Sequence, residues 1–284
     1  WVVGIVLGVY IGTIVLLNIP NIQQAMSVFV AEELSEVLNT KVVIGRINMG
    51  LLNRIIIDDV LLDDQSGQEM LKVTRLSAKF DIMPFFKGKI SISSVQLFGF
   101  NINLRKETPD SPPNFKFVLD AFASKDTVKK ENSLDLRINS ILIRRGRMSY
   151  HVLSEEETPG KFNAKHIQLQ NIIANISLKA LSKDSLNLGI KRLSLDEKAS
   201  GFSLKKMSLK LVANNKQTNI DNFTIELPET SLKLDTIHLE YDSLKAFDRF
   251  TEQVHFSFRT LPSQVTLKDI SPFVPILSHF KEPV

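Results

Sequence analysis

A short pattern of apolar residues recurs along this chain and constrains its fold more than any other feature. In each copy, two apolar residues are separated by one residue. Two polar residues follow, and then two further apolar residues, again separated by one residue. The period of two is that of a β-strand, in which successive side chains point to opposite faces. Seven copies of this strand unit occur: Leu71, Val73, Leu76, Ala78 and Phe80; Ile90, Ile92, Val95 and Leu97; Leu136, Ile138, Ile141 and Ile143; Leu188, Ile190, Leu193 and Leu195; Phe202, Leu204, Met207, Leu209 and Leu211; Ile220, Phe223, Ile225 and Leu227; Leu232, Leu234, Ile237, Leu239 and Tyr241.

The last four copies follow one another at a regular distance. Their third apolar residues are Leu193, Met207, Phe223 and Ile237, with spacings of 14, 16 and 14 residues. Such a spacing accommodates one strand and a short connection, and its regularity indicates an internal repeat. We therefore expect these four side chains to lie on the same face of one sheet.

The two polar residues inside each copy require a local irregularity. A step of three residues sends the second apolar pair to the opposite face unless one extra residue is inserted. A β-bulge at polar pairs such as Lys191-Arg192, Lys205-Lys206 and Asp221-Asn222 restores the face and bends the strand. The sequence thus predicts a mainly β fold, an elongated curved antiparallel sheet with one apolar and one charged face. That apolar face could line a hydrophobic groove or be covered in a closed β-sandwich.

The N-terminal segment predicts a membrane anchor. No charged residue occurs before Glu32, and Trp1 to Leu17 is an almost uninterrupted apolar run. As a helix this run is about 26 Å long, and residues 18 and 19 bring it close to the roughly 30 Å of a bilayer core. We predict a transmembrane anchor over residues 1–19. A cleavable signal peptide is the alternative, because Ala25-Met26-Ser27 has the small-x-small pattern, but its apolar region is ordinarily only about 7–15 residues long.

Two further features accompany this segment. Gly4, Gly8 and Gly12 fall on one face of the anchor, where a second helix could approach closely, although glycine is common in membrane helices generally. Residues 20–40 then predict an amphipathic helix, because apolar residues recur at helical spacing. These are Ile22, Met26, Phe29, Val30, Leu34, Val37 and Leu38. Residues 41–284 carry the β-strand pattern.

Two short helices are predicted within the β region. Pro113 precedes Phe115, Val118 and other apolar residues at helical spacing. Ser243 is a candidate N-cap for a second helix that begins at Leu244. Both segments interrupt the strand pattern rather than replace it.

Composition excludes several classes of function. The formal net charge of +4 is small, and acidic clusters are interspersed among the basic residues, so no nucleic-acid-binding footprint is present. Cysteine is absent, which excludes disulfides, thiolate metal sites and a cysteine nucleophile. The 18 Phe residues against 3 Tyr and 1 Trp indicate aromatic surface that contacts apolar groups.

No motif for catalysis or cofactor binding occurs in the sequence. Asp63, Gln65, Gly67 and Glu69 resemble a calcium loop only faintly, and a polar turn between strands explains them better. Nucleotide-binding and serine-hydrolase motifs are missing. We therefore predict no enzyme, no metal and no cofactor. The five histidines also lack metal-ligand spacing: His151, His166, His238, His255 and His279.

The order of these segments resembles the N-terminal part of the AsmA-like family, in its translocation and assembly module (TamB) branch. Each matching segment is only a few apolar residues long, and the resemblance lies in their order. It covers most of the chain. The segments are Thr40–Ile47, Ile55–Asp64, Leu76–Phe80, Pro84–Ile90, Val95–Gly99, Leu134–Tyr150 and Leu267–Pro275.

The resemblance implies a location and a wider architecture. It implies a single-pass protein of the Gram-negative inner membrane, with most of the chain in the periplasm and a repeating β-groove (taco-like) fold directed toward the outer membrane. It also implies that residues 41–284 are the first part of a longer groove. A C-terminal domain, outside this sequence, would then connect to an outer-membrane β-barrel partner.

Two functions follow as hypotheses. The first is bridge-like lipid transfer, in which phospholipid is the transported ligand and its acyl chains lie in the hydrophobic groove. The second, also suggested by the family, is assembly or secretion of outer-membrane proteins and autotransporters by β-strand augmentation. The expected anchor residues are Trp1, Gly4, Gly8, Gly12 and Leu17. The expected groove-lining residues are Leu76, Phe80, Ile92, Leu97, Ile138, Ile141, Leu193, Leu195, Leu204, Met207, Leu209, Phe223, Ile225, Leu234 and Ile237.

Overall fold

The protein is mainly β, as its sequence predicts. The structure, a computed structural model, describes residues 1–50, 53–81, 90–123, 134–135, 139–181, 185–274 and 276–277. Strands account for 54% and helices for 22%, and the strands form one open mixed sheet. Apart from β5, strands that follow each other along the chain are neighbours in this sheet.

The helices and strands have the following bounds. The helices are α1 (Val2–Leu17), α2 (Pro20–Leu38), α3 (Lys116–Ala123), a 3₁₀ helix (Leu244–Arg249), α4 (Phe250–Gln253) and α5 (Leu267–Ile270). The strands are β1 (Val42–Gly50), β2 (Arg54–Asp63), β3 (Glu69–Phe80), β4 (Ile90–Lys106), β5 (Leu134–Asp135), β6 (Ser140–Val152), β7 (His166–Leu181), β8 (Ser185–Glu197), β9 (Ser203–Asn214), β10 (Gln217–Glu226), β11 (Ser231–Tyr241) and β12 (Val254–Thr260). The two-residue β5 pairs in parallel with β4 and lies outside the main strand order.

The chain divides into two compact units. The first comprises Trp1–Arg137 and Gly146–Glu156, and the second comprises Ile138–Arg145 and Glu157–Val284. Strand β6 contributes to both, since the boundary falls between Arg145 and Gly146. Each unit has its own buried cluster.

The first unit buries its apolar strand residues beneath two helices. The predicted amphipathic helix is present as α2. Met26, Val30, Leu34 and Leu38 of its predicted stripe pack on the cluster that includes β1, and residues of α3 pack there as well, whereas Phe29 and Val37 of the stripe are exposed. The apolar face of the sheet is therefore covered at this end, a feature absent from the sequence prediction. The buried cluster is Leu38, Val42, Ile44, Ile47, Leu62 and Met70, with Met26, Val30, Ala31 and Leu34 of α2 and Phe117, Val118 and Ala121 of α3 packed on it.

Hydrogen bonds join the C-terminal end of α2 to the strands beside it. Asn39 ends the helix in the left-handed region, with φ of 48°. The side chain of Gln65 donates to the carbonyl of Leu38 at 2.9 Å, and thus satisfies one of the free carbonyls of the last turn. The amide of Val42 donates to Ser35 Oγ at 3.0 Å, which links α2 to the first residue of β1.

The second unit contains the repeated strands β8 to β11. Between β11 and β12 the chain forms the second predicted helix, which begins as a 3₁₀ helix. Ser243 occupies the predicted N-cap position, but its side chain makes no capping hydrogen bond; its carbonyl accepts from the amide of Ala246. Ala246 is buried together with Tyr241 and Val254.

The C-terminal segment packs on the loops of the second unit. Phe273 contacts Phe162 and Phe202, with ring centroids 4.8 and 4.9 Å apart. The amide of Phe162 donates to the carbonyl of Pro272 at 2.8 Å, and Thr266 is buried. Phe202 therefore belongs to a loop cluster just before β9, rather than to the strand pattern in which the sequence places it.

Helix α1 is exposed along most of its length. Val9, Ile5 and Val15 each expose more than 60% of their surface. Side chains added at Gly4, Gly8 or Gly12 would meet open space, so none of the described residues packs on this glycine face. Among the described residues, no one helix has the length and apolar character needed to cross a membrane, whereas Gly8–Leu17 and Pro20–Leu38, bent by 70° relative to each other, meet these criteria as a pair.

Candidate functional site

Strand register places the apolar residues of the first unit in rows that run across neighbouring strands. Residues paired across an antiparallel sheet point to the same face. We call these sets of paired residues the first-unit rows. In every strand, its residue in the second row and its residue in the third row are three positions apart along the chain. The rows are Val42, Leu62, Leu71 and Ile102; Ile44, Val60, Val73 and Phe100; Ile47, Ile57, Leu76 and Leu97; Met49, Ile55, Ala78 and Val95; and Phe80 with Ile92.

The step of three residues brings the paired strands very close together at one level. Gly99 adopts φ of 64°, and a Cβ at this position would lie 2.6 Å from the Oγ1 of Thr74 on β3. Gly45 of β1 would likewise bring a Cβ to 2.9 Å from that of Asp59. Asp59 itself has φ of 56°. At Gly99, opposite Thr74, and at Gly45, opposite Asp59, any larger residue would displace the side chain that it faces.

The predicted bulges occur at the polar pairs of the second unit. Ile190 pairs with Leu209 and Leu193 with Met207, so β8 has one residue more than β9 across Lys191-Arg192. The pairing of Leu195 with Leu204 shows an extra residue in β9 across Lys205-Lys206. Strand β10 has its extra residue between Asp221 and Thr224, where Asn222 has φ of 52°. The bulges return the apolar residues to one face, as expected.

These registers confirm that Leu193, Met207, Phe223 and Ile237 share a face. Met207 pairs with Leu193 and Ile225, while Phe223 is two residues from Ile225 on the same strand. Ile237 pairs with Ile220, which pairs with Leu211, four residues from Met207 on β9. We call the resulting sets the second-unit rows. They are Leu178, Leu188, Leu211, Ile220, Ile237 and Phe258; Ala174, Leu193, Met207, Ile225 and Leu232; Ile176, Ile190 and Leu209; Phe223 and Leu234; Leu195 and Leu204; and Leu239 with Phe256.

Burial differs between the two units. In the first unit, the rows that begin at Val42 and Ile44 are largely buried under α2 and α3. In the second unit, Leu188, Met207 and Ile225 are half-buried, as are most residues of the same rows on β8 to β11. Among those four strands only Leu204 of the row residues is buried. The second-unit rows are therefore an apolar surface that contacts neighbouring side chains but retains access to solvent.

The rows end at an aromatic surface on β12. Phe256 and Phe258 are exposed by 55% and 57%, and their rings stack with centroids 6.3 Å apart. The ring centroid of Phe250 on α4 lies 5.8 Å from that of Phe256, and the ring centroid of Phe247 lies 6.1 Å from that of Phe250. Phenylalanine offers no hydrogen-bonding group, so this surface suits an apolar ligand.

The expected groove-lining residues fall mostly within these rows. Leu76, Phe80, Ile92 and Leu97 are half-buried members of the first-unit rows. Ile141 is half-buried on β6, and Ile138 lies outside the described residues. The others belong to the second-unit rows: Leu193, Leu195, Leu204, Met207, Leu209, Phe223, Ile225, Leu234 and Ile237.

Sequence reasoning missed the aromatic residues of the last strand. Phe256 and Phe258 alternate with His255, Ser257 and Arg259, which is the period of a strand with one apolar face. This segment contains only one half of the strand unit, and a helical segment comes directly before it. The alternation of phenylalanine with polar residues could by itself have identified the segment as a strand.

The polar pairs at the steps form cross-strand interactions. Arg75 donates to both oxygens of Asp58, at 2.6 and 3.2 Å. Asn171 on β7 donates to Asp196 on β8 at 2.7 Å. Arg259 pairs with Asp235 at 3.3 Å. Because these side chains are solvent-accessible, each pair adds little to the stability of the fold. Together the pairs make this face of the sheet polar, which disfavours its contact with apolar groups.

A buried carboxylate closes the β2–β3 turn in the first unit. Asp64 accepts hydrogen bonds from the hydroxyl and amide of Ser66 and from the amide of Gln68, at 2.7, 2.9 and 3.1 Å. Asn114 also donates to it, and Arg105 pairs with it at 2.7 Å. Burial alone would raise the pKa of Asp64, but these hydrogen bonds outweigh it and hold the pKa below its ordinary value. The segment around residue 65 is thus a polar turn, as expected.

A second buried carboxylate has the same role in the second unit. Glu197 is the last residue of β8 and accepts hydrogen bonds from the amides of Gln168, Ala199 and Ser200, at 3.0, 3.2 and 2.7 Å. The hydroxyl of Ser200 donates to it as well. Burial would raise the pKa of Glu197, but the hydrogen bonds from Ser200 and the backbone amides lower it below the ordinary value.

We expect the stability of the second unit to fall on acidification because of Glu197. Its folded-state pKa lies below the unfolded-state value, so its contribution is complete above the unfolded-state pKa of about 4.3. The contribution is lost as the pH falls through the folded-state pKa. Glu197→Gln should therefore lower the melting temperature at pH 7 but have a much smaller effect near pH 3. An equal loss at both pH values, measured by circular dichroism, would contradict this assignment.

No protein-family model matches the chain, and no curated protein matches it. The resemblance to the AsmA-like family stays an expectation from the residues. Function is accordingly proposed from the apolar rows and the exposed N-terminal helix.

Proposed function

We propose that the protein is an inner-membrane-anchored, periplasmic lipid transfer protein that holds phospholipid acyl chains against the apolar rows of its sheet. The observation that carries the proposal is the half-buried state of the second-unit rows. Rows from β8 to β11 place leucine, isoleucine, methionine and phenylalanine on one face, with the charged bulge residues Lys191 and Arg192 exposed. The resemblance to AsmA-like proteins supports the cellular location and an outer-membrane β-barrel partner.

The apolar rows provide what an acyl chain needs outside a bilayer. Exposing a chain to water costs about 0.8 kcal/mol per CH₂, so a sixteen-carbon chain faces a barrier of about 12 kcal/mol. Contact with an apolar surface removes much of this cost. The headgroup can remain in solvent, because the rows form one side of an open sheet.

The burial pattern favours an accessible apolar surface over a closed β-sandwich. In a sandwich, a second apolar layer packs about 10 Å away and buries the central inward-facing residues. The central residues of the second-unit rows, such as Met207, Leu209 and Ile225, are half-buried instead. An acyl chain is a matching second layer for such a surface.

Photo-crosslinking can test this proposal directly. A photoreactive phenylalanine analogue at Phe223, which belongs to the second-unit rows, should crosslink phospholipid in cells. The same analogue at Thr224, the adjacent residue of β10, is the matched control, because successive side chains point to opposite faces. Equal labelling at the two positions, or none at Phe223, would contradict the proposal.

We also propose that α1 anchors the chain in the membrane. The exposed apolar side chains of this helix, such as Val9 and Val15, require an apolar surrounding. We expect removal of residues 1–19 to make the chain extractable without detergent and leave it folded, since α2 and the first buried cluster remain. Fractionation and circular dichroism of tagged chains would check this. A full-length chain that is soluble and shortened to Ser27 or beyond would support a signal peptide instead.

The edge of the sheet at β12 favours a second candidate function. In the strand order of the described residues, β12 is an end strand and pairs with β11 alone. An open strand edge can accept another strand by β-augmentation, which is how an assembly factor for outer-membrane proteins could act. Crosslinking from Ser257 to a nascent outer-membrane protein, with no phospholipid crosslinked at Phe223, would favour this function over lipid transfer.

A further inference from the structure

Helix α2 has a second apolar surface on the side opposite the sheet. Its inner side is buried against β1 and includes Ser27, which is 1% exposed, and Leu38. Its outer side includes Val28 and Phe29, which are exposed by 49% and 63%. A helix that covers the core of a soluble protein ordinarily has charged residues on its outer side. The outer side of α2 has a valine and a phenylalanine at its middle instead.

The charged residues of α2 are confined to its second half. The helix begins at Pro20, and its first charged residue is Glu32. Its first three turns are thus uncharged and continue the uncharged α1. The acidic residues Glu32, Glu33 and Glu36 all lie in the second half, and all are exposed. The half of α2 next to α1 therefore differs in character from the half next to β1.

The connection between α1 and α2 sets the tilt of α2 relative to α1. The two helices are bent by 70° relative to each other. Asn18, at the bend, donates to the carbonyl of Ile14 at 2.8 Å and to that of Met49 on β1 at 2.9 Å, and Gln23 donates to Asn18 at 3.2 Å. If α1 crosses a bilayer along its normal, α2 lies within about 20° of the bilayer plane.

We propose that the outer face of α2 around Val28 and Phe29 docks on the surface of the phospholipid bilayer that α1 enters. This inference rests on the proposed membrane anchor. The bilayer fits because the half of α2 that contains Val28 and Phe29 is uncharged and follows the uncharged α1 directly, and because an interfacial helix places its apolar side chains at the boundary between headgroups and acyl chains. Docking in this way holds the first-unit rows under α2 about one helix diameter from the lipid.

The cysteine-free chain allows a clean labelling test. The full-length protein with Phe29→Cys, Val9→Cys or Lys72→Cys would be labelled with an environment-sensitive NBD fluorophore and reconstituted into phosphatidylcholine vesicles. Val9 reports on the anchor, and Lys72, exposed on β3, is the control for water-exposed surface. We expect lipid spin-labelled near the headgroup to remove about half of the fluorescence at residue 29 and to leave residue 72 unchanged. Lipid labelled deep in the acyl chain should quench residue 9.

The three labels separate failure of this inference from failure of the anchor. Quenching at residue 9 without quenching at residue 29 would overturn surface docking of α2 and leave the anchor in place. Quenching at neither residue would overturn both. Phe29→Ser provides a second measurement, because this exposed side chain is not needed for the core: the full-length variant should fold normally, and an NBD label at Val28→Cys should be quenched severalfold less by headgroup-labelled lipid than in the parent. Unchanged quenching at residue 28 would also overturn the proposal.

Discussion

We expect Ile225→Asp to abolish phospholipid crosslinking while the chain stays folded. Ile225 lies in the second-unit rows, paired with Met207 on one side and Leu232 on the other. An acyl chain lying on this row would have to contact a carboxylate, and an unpaired charge in an apolar, water-poor contact costs several kcal/mol. We expect crosslinking from Phe223 to fall by about tenfold or more.

The adjacent residue provides the matched control. Thr224→Asp introduces the same charge one position away, on the opposite face of β10, where Lys233 and Ser208 are its cross-strand neighbours. This variant should bind lipid normally, because its carboxylate lies on the face opposite the rows and can pair with the exposed Lys233. Melting temperatures of both variants distinguish blocked binding from unfolding. Loss of lipid by both variants, or unfolding of Ile225→Asp without lipid ever having bound the parent, would contradict the proposal.

Asp64→Ala should lower the free energy of unfolding of the first unit by about 3 kcal/mol. Removing this carboxylate leaves the amide of Gln68 without its acceptor and removes the ion-pair partner of Arg105. It also breaks the contact with Asn114, which precedes α3. Because α3 packs on the buried cluster of the first unit, the substitution should loosen that helix as well. Denaturant unfolding followed by circular dichroism measures the change.

Asp63→Ala is the control for this substitution. Asp63 is the preceding residue and the last of β2, and its backbone groups, not its side chain, make the hydrogen bonds with Lys41 and Thr40. Its replacement should change the free energy of unfolding by about 0.5 kcal/mol or less. Similar effects of the two substitutions would show that the buried network around Asp64 does not stabilise the first unit.

The strand pattern was predictable because strand geometry is local. A step of three residues between apolar positions has two outcomes, a change of face or a bulge, and a regular repeat requires the bulge. The registers at Lys191-Arg192, Lys205-Lys206 and Asp221-Asn222 follow this rule. The prediction that Leu193 and Ile237 share a face needed no knowledge of the connections between them.

The cover over the first-unit rows was not predictable in the same way. The apolar stripe of α2 was evident from its period, but a stripe does not specify which surface it packs against. In the structure it packs on Val42 and Ile44 of β1, the strand that follows it. The short distance along the chain could have suggested this pairing, whereas the contribution of α3 from residue 116 onward is a long-range contact with no local signal.

The two buried carboxylates were missed although they share a local signature. Asp64 precedes Ser66-Gly67 and comes directly after β2, and Glu197 precedes Ser200-Gly201 and is the last residue of β8. Both glycines have φ of 76°, which closes the turn around the carboxylate. An acidic residue just before Ser-Gly at a strand end is a turn signal of the kind that side-chain hydrogen bonds to the backbone create. The sequence alone does not show that these carboxylates are buried.

Mass spectrometry of lipid co-purified with residues 20–284 tests the central claim most directly. This segment lacks the anchor helix, so bound lipid cannot come from a membrane around α1, and it retains α2, which covers the first buried cluster. We expect phospholipid to remain bound through detergent-free purification of the parent and of Thr224→Asp, and to be lost from Ile225→Asp. A folded, lipid-free parent chain from lipid-replete cells would contradict the account.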